Sequence, residues 1–118
     1  MHKLIILIEP PIDPVLFDES WPSFLHQAEK MPGLVREATI RVTKVLFGDR
    51  QYHMIHELFF ESHENLQTAM VSPQGQVSGQ ILQKITNGRM SLLIAEHRED
   101  NIENIRKYQH PKSDNDPS

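Results

Sequence analysis

A chain of 118 residues with 38% hydrophobic and 24% charged positions fits one globular domain and excludes fibrous, collagen-like and fully disordered classes. The absence of cysteine removes disulfides, thiolate nucleophiles and cysteine-based metal sites, and a net charge of −4 removes the global basic field that nucleic acid would need. The longest near-apolar run, residues 4–8, falls far short of the ~20 residues of a membrane helix, and no secretory signal follows Met1-His2-Lys3. A soluble cytoplasmic protein without membrane or nucleic-acid partners is expected.

Residues 2–8 form an isoleucine-rich run closed by Glu9-Pro10-Pro11, which predicts a strand buried on both faces and hence central in its sheet. Asp13-Pro14 supplies a cap and a first-turn proline for a helix. Pro22 lacks an N–H and disfavours helical geometry at Trp21, so a kink is expected there, with a second helical segment over 22–30. On that segment Phe24, Leu25, Ala28 and Met31 share an arc that Trp21 extends. After Pro32-Gly33, residues 34–47 read as a long strand, with Ala38, Ile40 and Val42 on one face and Thr39, Arg41 and Thr43 on the other. A turn at Gly48-Asp49-Arg50 returns the chain into a strand over 52–60, completing a hairpin. Ser62 caps a helix bearing Leu66, Ala69 and Met70; Ser72-Pro73 starts another bearing Val77, Ile81, Leu82 and Ile85, which Asn87-Gly88 ends. Residues 90–95 are the last strand. The polar stretch 98–118 reads as a tail, with a short docking helix through Ile102, Ile105 and Tyr108 and disorder from residue 111 onward.

The order strand, helix, strand, strand, helix, strand is the ferredoxin-like βαββαβ pattern: an α+β fold with a four-stranded antiparallel sheet and helices on one face. The words along it are specific as well. Leu4 to Ile8 followed by Glu9-Pro10-Pro11, Phe17-Asp18 with Trp21-Pro22, and Lys30-Met31-Pro32-Gly33-Leu34 open the chain. Tyr52 with Glu57-Leu58-Phe59-Phe60, Leu66 with Ala69-Met70, and Ser72-Pro73-Gln74-Gly75-Gln76 continue it. In this order the chain resembles the ethyl tert-butyl ether degradation (EthD-like) family over about residues 3–97. The resemblance implies an EthD-type domain over 1–97 and a dimeric α+β barrel, in which two subunits pack sheet against sheet. Relatives on that fold include cofactor-free monooxygenases, polyketide cyclases, muconolactone-type isomerases and haem-degrading enzymes. The His-x-Pro found late in the first helix of many EthD-like sequences is not matched, because His26 is followed by Gln27-Ala28.

Seven histidines invite a metal reading, but His53 and His56 sit three apart on a strand and face opposite ways, so no metal site and no cofactor is expected. His56 shares a strand face with Tyr52, Met54, Leu58 and Phe60, the side that helices should cover. An imidazole there is either a candidate proton shuttle or a hydrogen-bonded core histidine. Glu57 faces the other way with Ile55 and Phe59, and a pairing with Arg41 across the hairpin is expected. Trp21, Phe24 and Tyr52 are candidate walls of an apolar ligand pocket between the first helix and the sheet, reached by His56. His26 falls opposite the apolar arc and is expected in solvent.

Two functions of different kind fit these residues. One is an enzyme acting on an apolar or aromatic metabolite by isomerisation, cyclisation or cofactor-independent oxygenation, with His56 moving the proton. The other is a non-catalytic accessory protein that binds a hydrophobic metabolite in a catabolic pathway. A homodimer is expected under both, because the first and last strands carry aliphatic side chains on both sheet faces.

Overall fold

A computed structural model describes residues 1–102 of the chain. The elements are β1 (His2–Ile8), α1 (Pro14–Ala28), β2 (Leu34–Arg41), β3 (Met54–Phe60), α2 (His63–Val71), α3 (Pro73–Thr86) and β4 (Met90–Glu96). β1 is central as its composition demands: it pairs antiparallel with β3 (Ile6 opposite His56) and with β4 (Ile6 opposite Leu92). With β2 outside β3, the sheet runs β2-β3-β1-β4, the ferredoxin-like order. The helices cover one face. Leu4, Ile6 and Ile8 of β1 and Met54, Leu58 and Phe60 of β3 meet Phe17, Phe24 and Ala28 of α1, Leu66 and Ala69 of α2, and Leu82 and Ile85 of α3.

The caps read from sequence are in place. The Leu16 N–H donates to Asp13 Oδ1 at 3.1 Å, and the Asn65 N–H donates to Ser62 Oγ at 3.1 Å. Ser72 serves two helices: its Oγ accepts from the Gly75 N–H at 3.0 Å and donates to the Ala69 carbonyl at 2.6 Å. Asn87 ends α3 in the left-handed region at φ 54°.

Three expectations need correction. α1 is one helix through Pro22 rather than two segments about a kink. Pro22 and Asp18, whose carbonyl loses its helical partner to the missing N–H, are both exposed residues, where an unmade backbone bond costs least. Burial of Phe17 and Phe24, roughly 2 kcal/mol each, together with the stacking of Trp21 between them, offsets the ~3 kcal/mol that an interior proline costs. β2 stops at Arg41 rather than running to residue 47. The last bond toward β3 is the Val42 N–H to the His53 carbonyl at 3.4 Å; His53 then donates to Ile8 of β1. Beyond this point no helix layer covers the ribbon, and Leu46 and Phe47 stand 87% and 98% exposed.

The third correction concerns Glu57, which pairs with Lys3 of β1 at 3.1 Å and not with Arg41. Arg41 lies opposite Met54, so it faces the helices, while Glu57 lies opposite Ile5 on the outer face. That outer face also carries Ile5, Leu7, Ile40, Ile55 and Leu93. At one end Phe59 is buried there beneath the Arg36 guanidinium, 4.1 Å from its ring, and beside His97. The expected tail helix through Ile105 and Tyr108, and the stretch from residue 111, lie outside the described residues. No helix among the described residues is long and apolar enough to cross a membrane.

Candidate functional site

The face of β3 that meets the helices is apolar except at His56, which has no exposed surface. Its flanks are aromatic: Trp21 and Phe24, one helical turn apart on α1, stand edge-on to the imidazole at 5.3 and 5.8 Å between ring centres. In the strand direction its partner on β2 is Thr39, whose Oγ1 lies 2.9 Å from Nδ1. Two residues earlier on the same face, Glu37 places Oε1 2.9 Å from Nε2. Both ring nitrogens are therefore satisfied, as a buried imidazole requires.

Glu37 is the residue that the sequence reading missed. The signal was present, since Glu37 falls two before Thr39 and therefore on the same strand face. What hid it was the pairing register of β2 with β3, which alone decides that this face of β2 is the one His56 shares. The Glu37 side chain is 24% exposed, so one side of its carboxyl reaches water while the other holds the histidine.

Electrostatics sets the proton count of this pair. Burial, then the hydrogen bond and charge of the Glu29 carboxyl, push Glu37 from 4.5 up to about 7. Burial drives His56 from 6.5 down to about 4, against the smaller opposing pull of the Glu57 and Glu29 charges. Near pH 6 both groups are neutral, with Nε2 facing the Glu37 carboxyl and Nδ1 facing the Thr39 hydroxyl, and the imidazole tautomer sets which side donates. Once Glu37 ionises, Nε2–H donates to the carboxylate, and the Thr39 hydroxyl turns to donate to Nδ1. Loss of one proton near neutrality thus fixes the direction of both hydrogen bonds without moving a heavy atom. Such an arrangement can take up and return a proton at neutral pH.

Of the residues singled out from sequence, His56, Trp21 and Phe24 come together here. Tyr52 does not; it lies in the connection between β2 and β3, and among the described residues no hydrogen bond or ring contact joins it to the others. His26 is exposed, as expected. The apolar cavity in this layer lies on the far side of Phe24, between α1, α3 and the sheet; neither Trp21 nor His56 lines it. Among the described residues no group of three or more His, Asp or Glu side chains could hold a metal ion.

No family model matches the chain. A protein described as uncharacterised, of 11.0 kDa and encoded between thcB and thcC of Rhodococcus erythropolis, is 24% identical over 97 residues, covering 81% of this chain and 94% of that protein. Among solved structures, a dimeric ferredoxin-like protein from Jannaschia sp. CCS1 shares the fold at 16% identity and a TM-score of 0.64, covering 81% of this chain and 98% of its own. SnoaB, a cofactor-independent oxygenase from Streptomyces nogalater, does so at 13% and 0.63, covering 86% and 97%. An EthD-family protein from Bacillus halodurans C-125 is 31% identical, with a TM-score of 0.76 over 83% of this chain and 99% of its own. With that identity spread over the whole length of a solved relative, this chain belongs to the ethyl tert-butyl ether degradation (EthD) family.

Proposed function

We propose that the chain is a small-molecule enzyme that abstracts and returns a proton on an apolar or aromatic metabolite, as isomerisation, cyclisation or cofactor-independent oxygenation each require. The observation that carries this reading is the hydrogen bond between His56 and a half-buried Glu37 raised to about 7. Glu37 is the group that touches substrate, because His56 has no exposed surface. His56 relays the proton behind it, Thr39 holds the imidazole, and the partly exposed Trp21 offers the substrate an aromatic wall. The fold shared with the Streptomyces nogalater oxygenase supports the reaction class, with no residue carried over.

2-Tetralone, an apolar aromatic ketone with an acidic C–H, tests the step common to all three reactions. Deuterium exchange into it should be catalysed, and the rate should rise through pH 7 as Glu37 ionises. Glu37→Gln should lower the rate at least 100-fold, and His56→Ala by a comparable factor. An unchanged rate in Glu37→Gln would remove the enzyme reading. The apolar cavity beyond Phe24 contains no titratable side chain, and this favours the second reading, a binder of hydrophobic metabolites. Binding of 2-tetralone without exchange would decide for it.

We also propose a two-fold homodimer through the outer sheet face. Ile5, Leu7, Ile40, Ile55 and Leu93 make that face aliphatic across all four strands, the kind of contiguous apolar patch that soluble monomers seldom leave bare. A two-fold axis lets one patch cover itself. The dimeric Jannaschia neighbour supports it. Light scattering at micromolar concentration should give twice the chain mass, and Leu93→Lys should give the monomer mass. A folded native monomer would defeat the barrel assembly.

A further inference from the structure

α3 contains two glycines, the half-buried Gly75 and the exposed Gly79, and only the first of them is explained by the chain path. A Cβ at Gly75 would lie 2.2 Å from the Ala69 carbonyl oxygen, so the tight passage from α2 to α3 demands glycine there. A Cβ at Gly79 would meet nothing within 4 Å, and its backbone is ordinary helix. A glycine in mid-helix is less stable there than alanine would be, and at position 79 no steric demand offsets it. What its missing side chain leaves open is a cavity. The space, about 70 Å³ and open to solvent on one side, lies between Leu4, Ile6 and Leu58 on the sheet, Phe24 on α1, and Leu82 and Gly79 on α3. Its one hydroxyl, on Ser78, is occupied in donating to the Gly75 carbonyl at 3.0 Å. The wall is therefore mainly apolar, a surface that hydrocarbon covers more favourably than water.

Size and continuity narrow the occupant. An apolar cavity of about 150 Å³ accepts benzene. One of about 70 Å³ is too small for a ring and accommodates roughly three carbons of an unbranched chain. Met70 borders this cavity and also an open groove over Val71 and Ile94, at whose rim stand Gln67 and Thr68. A chain that passes Met70 thus leaves the cavity along apolar surface and ends at an amide and a hydroxyl, with no charged side chain at either pocket. We propose that this cavity and groove bind an unbranched alkyl chain bearing a neutral hydrogen-bonding end, its terminal carbons in the cavity whose mouth Gly79 borders and its polar end at Gln67 and Thr68. Neither Glu37 nor His56 lines the cavity, and the proposal does not depend on that pair being catalytic.

Titration calorimetry of the full chain with linear alcohols tests it. Affinity should climb from 1-butanol to 1-octanol by about fourfold for each methylene that becomes buried. Gly79→Leu places a side chain in the open mouth; it should weaken 1-octanol binding at least tenfold while the thermal midpoint stays level or rises, since helix propensity improves. Glu37→Gln should bind 1-octanol as the native chain does. No binding of 1-octanol up to its solubility limit, or binding within twofold of native in Gly79→Leu, would overturn the proposal. So would loss of binding in Glu37→Gln, which would put the alcohol in the other site. A change of molecular mass in Gly79→Leu with octanol binding intact would also overturn it, by assigning the groove to a second copy of the chain.

Discussion

Gly75→Ala is expected to destabilise the fold by about 3 kcal/mol, the upper end of what overpacking a tight site costs. The added methyl carbon would lie 2.2 Å from the Ala69 carbonyl oxygen and 2.7 Å from that of Met70, both backbone atoms that cannot rotate away. Relief requires α2 and α3 to separate by about 1 Å, given that ordinary contact begins near 3.4 Å. The Ser72 hydroxyl ties the same junction, accepting from Gly75 and donating to Ala69, so separation would strain two hydrogen bonds as well. It would also pull Leu66 and Ala69, both fully buried, off the sheet. Urea unfolding checks this, with an unchanged denaturant slope showing that the native state alone was perturbed. Gly79→Ala is the control and should stabilise slightly, because its methyl group meets no neighbour. Equal effects at the two glycines would contradict the geometry of the junction.

Much of the fold was legible because local signals agree with the tertiary ones. The Ile-rich β1 announces its central position: it has neighbours on both sides, its Leu4, Ile6 and Ile8 are buried under the helices, and Ile5 and Leu7 are half-buried on the outer face. Asp13, Ser62 and Ser72 fix helix starts by short hydrogen bonds that need no distant partner. Pro22 misled for the opposite reason. Its cost is local and visible, whereas the stacking of Phe17, Trp21 and Phe24 that overcomes it appears only when α1 meets the sheet. The length of β2 was equally hidden, because alternation continues to residue 47 but the covering layer does not.

The site was half legible by the same logic. His56 could be found as one polar residue on an apolar strand face. Its partners could not, because Thr39 and Glu37 reach it only through the pairing register of β2 with β3, which includes a shift between Leu34 and Arg36. A one-residue error in that register would send Glu37 to the outer face. Lys3 for Glu57 was missed likewise, the partner coming from β1 and not from the hairpin.

Replacing either member of the Glu37–His56 pair should change how stability depends on pH, in opposite directions. Glu37 titrates at about 7 in the fold against 4.5 unfolded, so between those values the native state holds the extra proton and loses stability as pH rises. His56 titrates at about 4 against 6.5; between those values the unfolded chain holds the extra proton, and stability rises with pH. Where the windows overlap, the two slopes oppose each other in the native chain. Glu37→Gln keeps the hydrogen bond to His56 and removes the falling slope. Relative to the native chain it should be little changed at pH 5 and more stable at pH 8, where Glu37 would otherwise ionise beside Glu29. His56→Asn removes the rising slope. Its cost should therefore be smallest near pH 4 and grow toward pH 6.5, by at most about 1.4 kcal/mol per pH unit. Chemical unfolding of the three proteins across pH 4 to 8 reads both curves. Parallel curves for all three would mean that neither group is shifted, and would take from Glu37 the proton affinity on which its catalytic role rests.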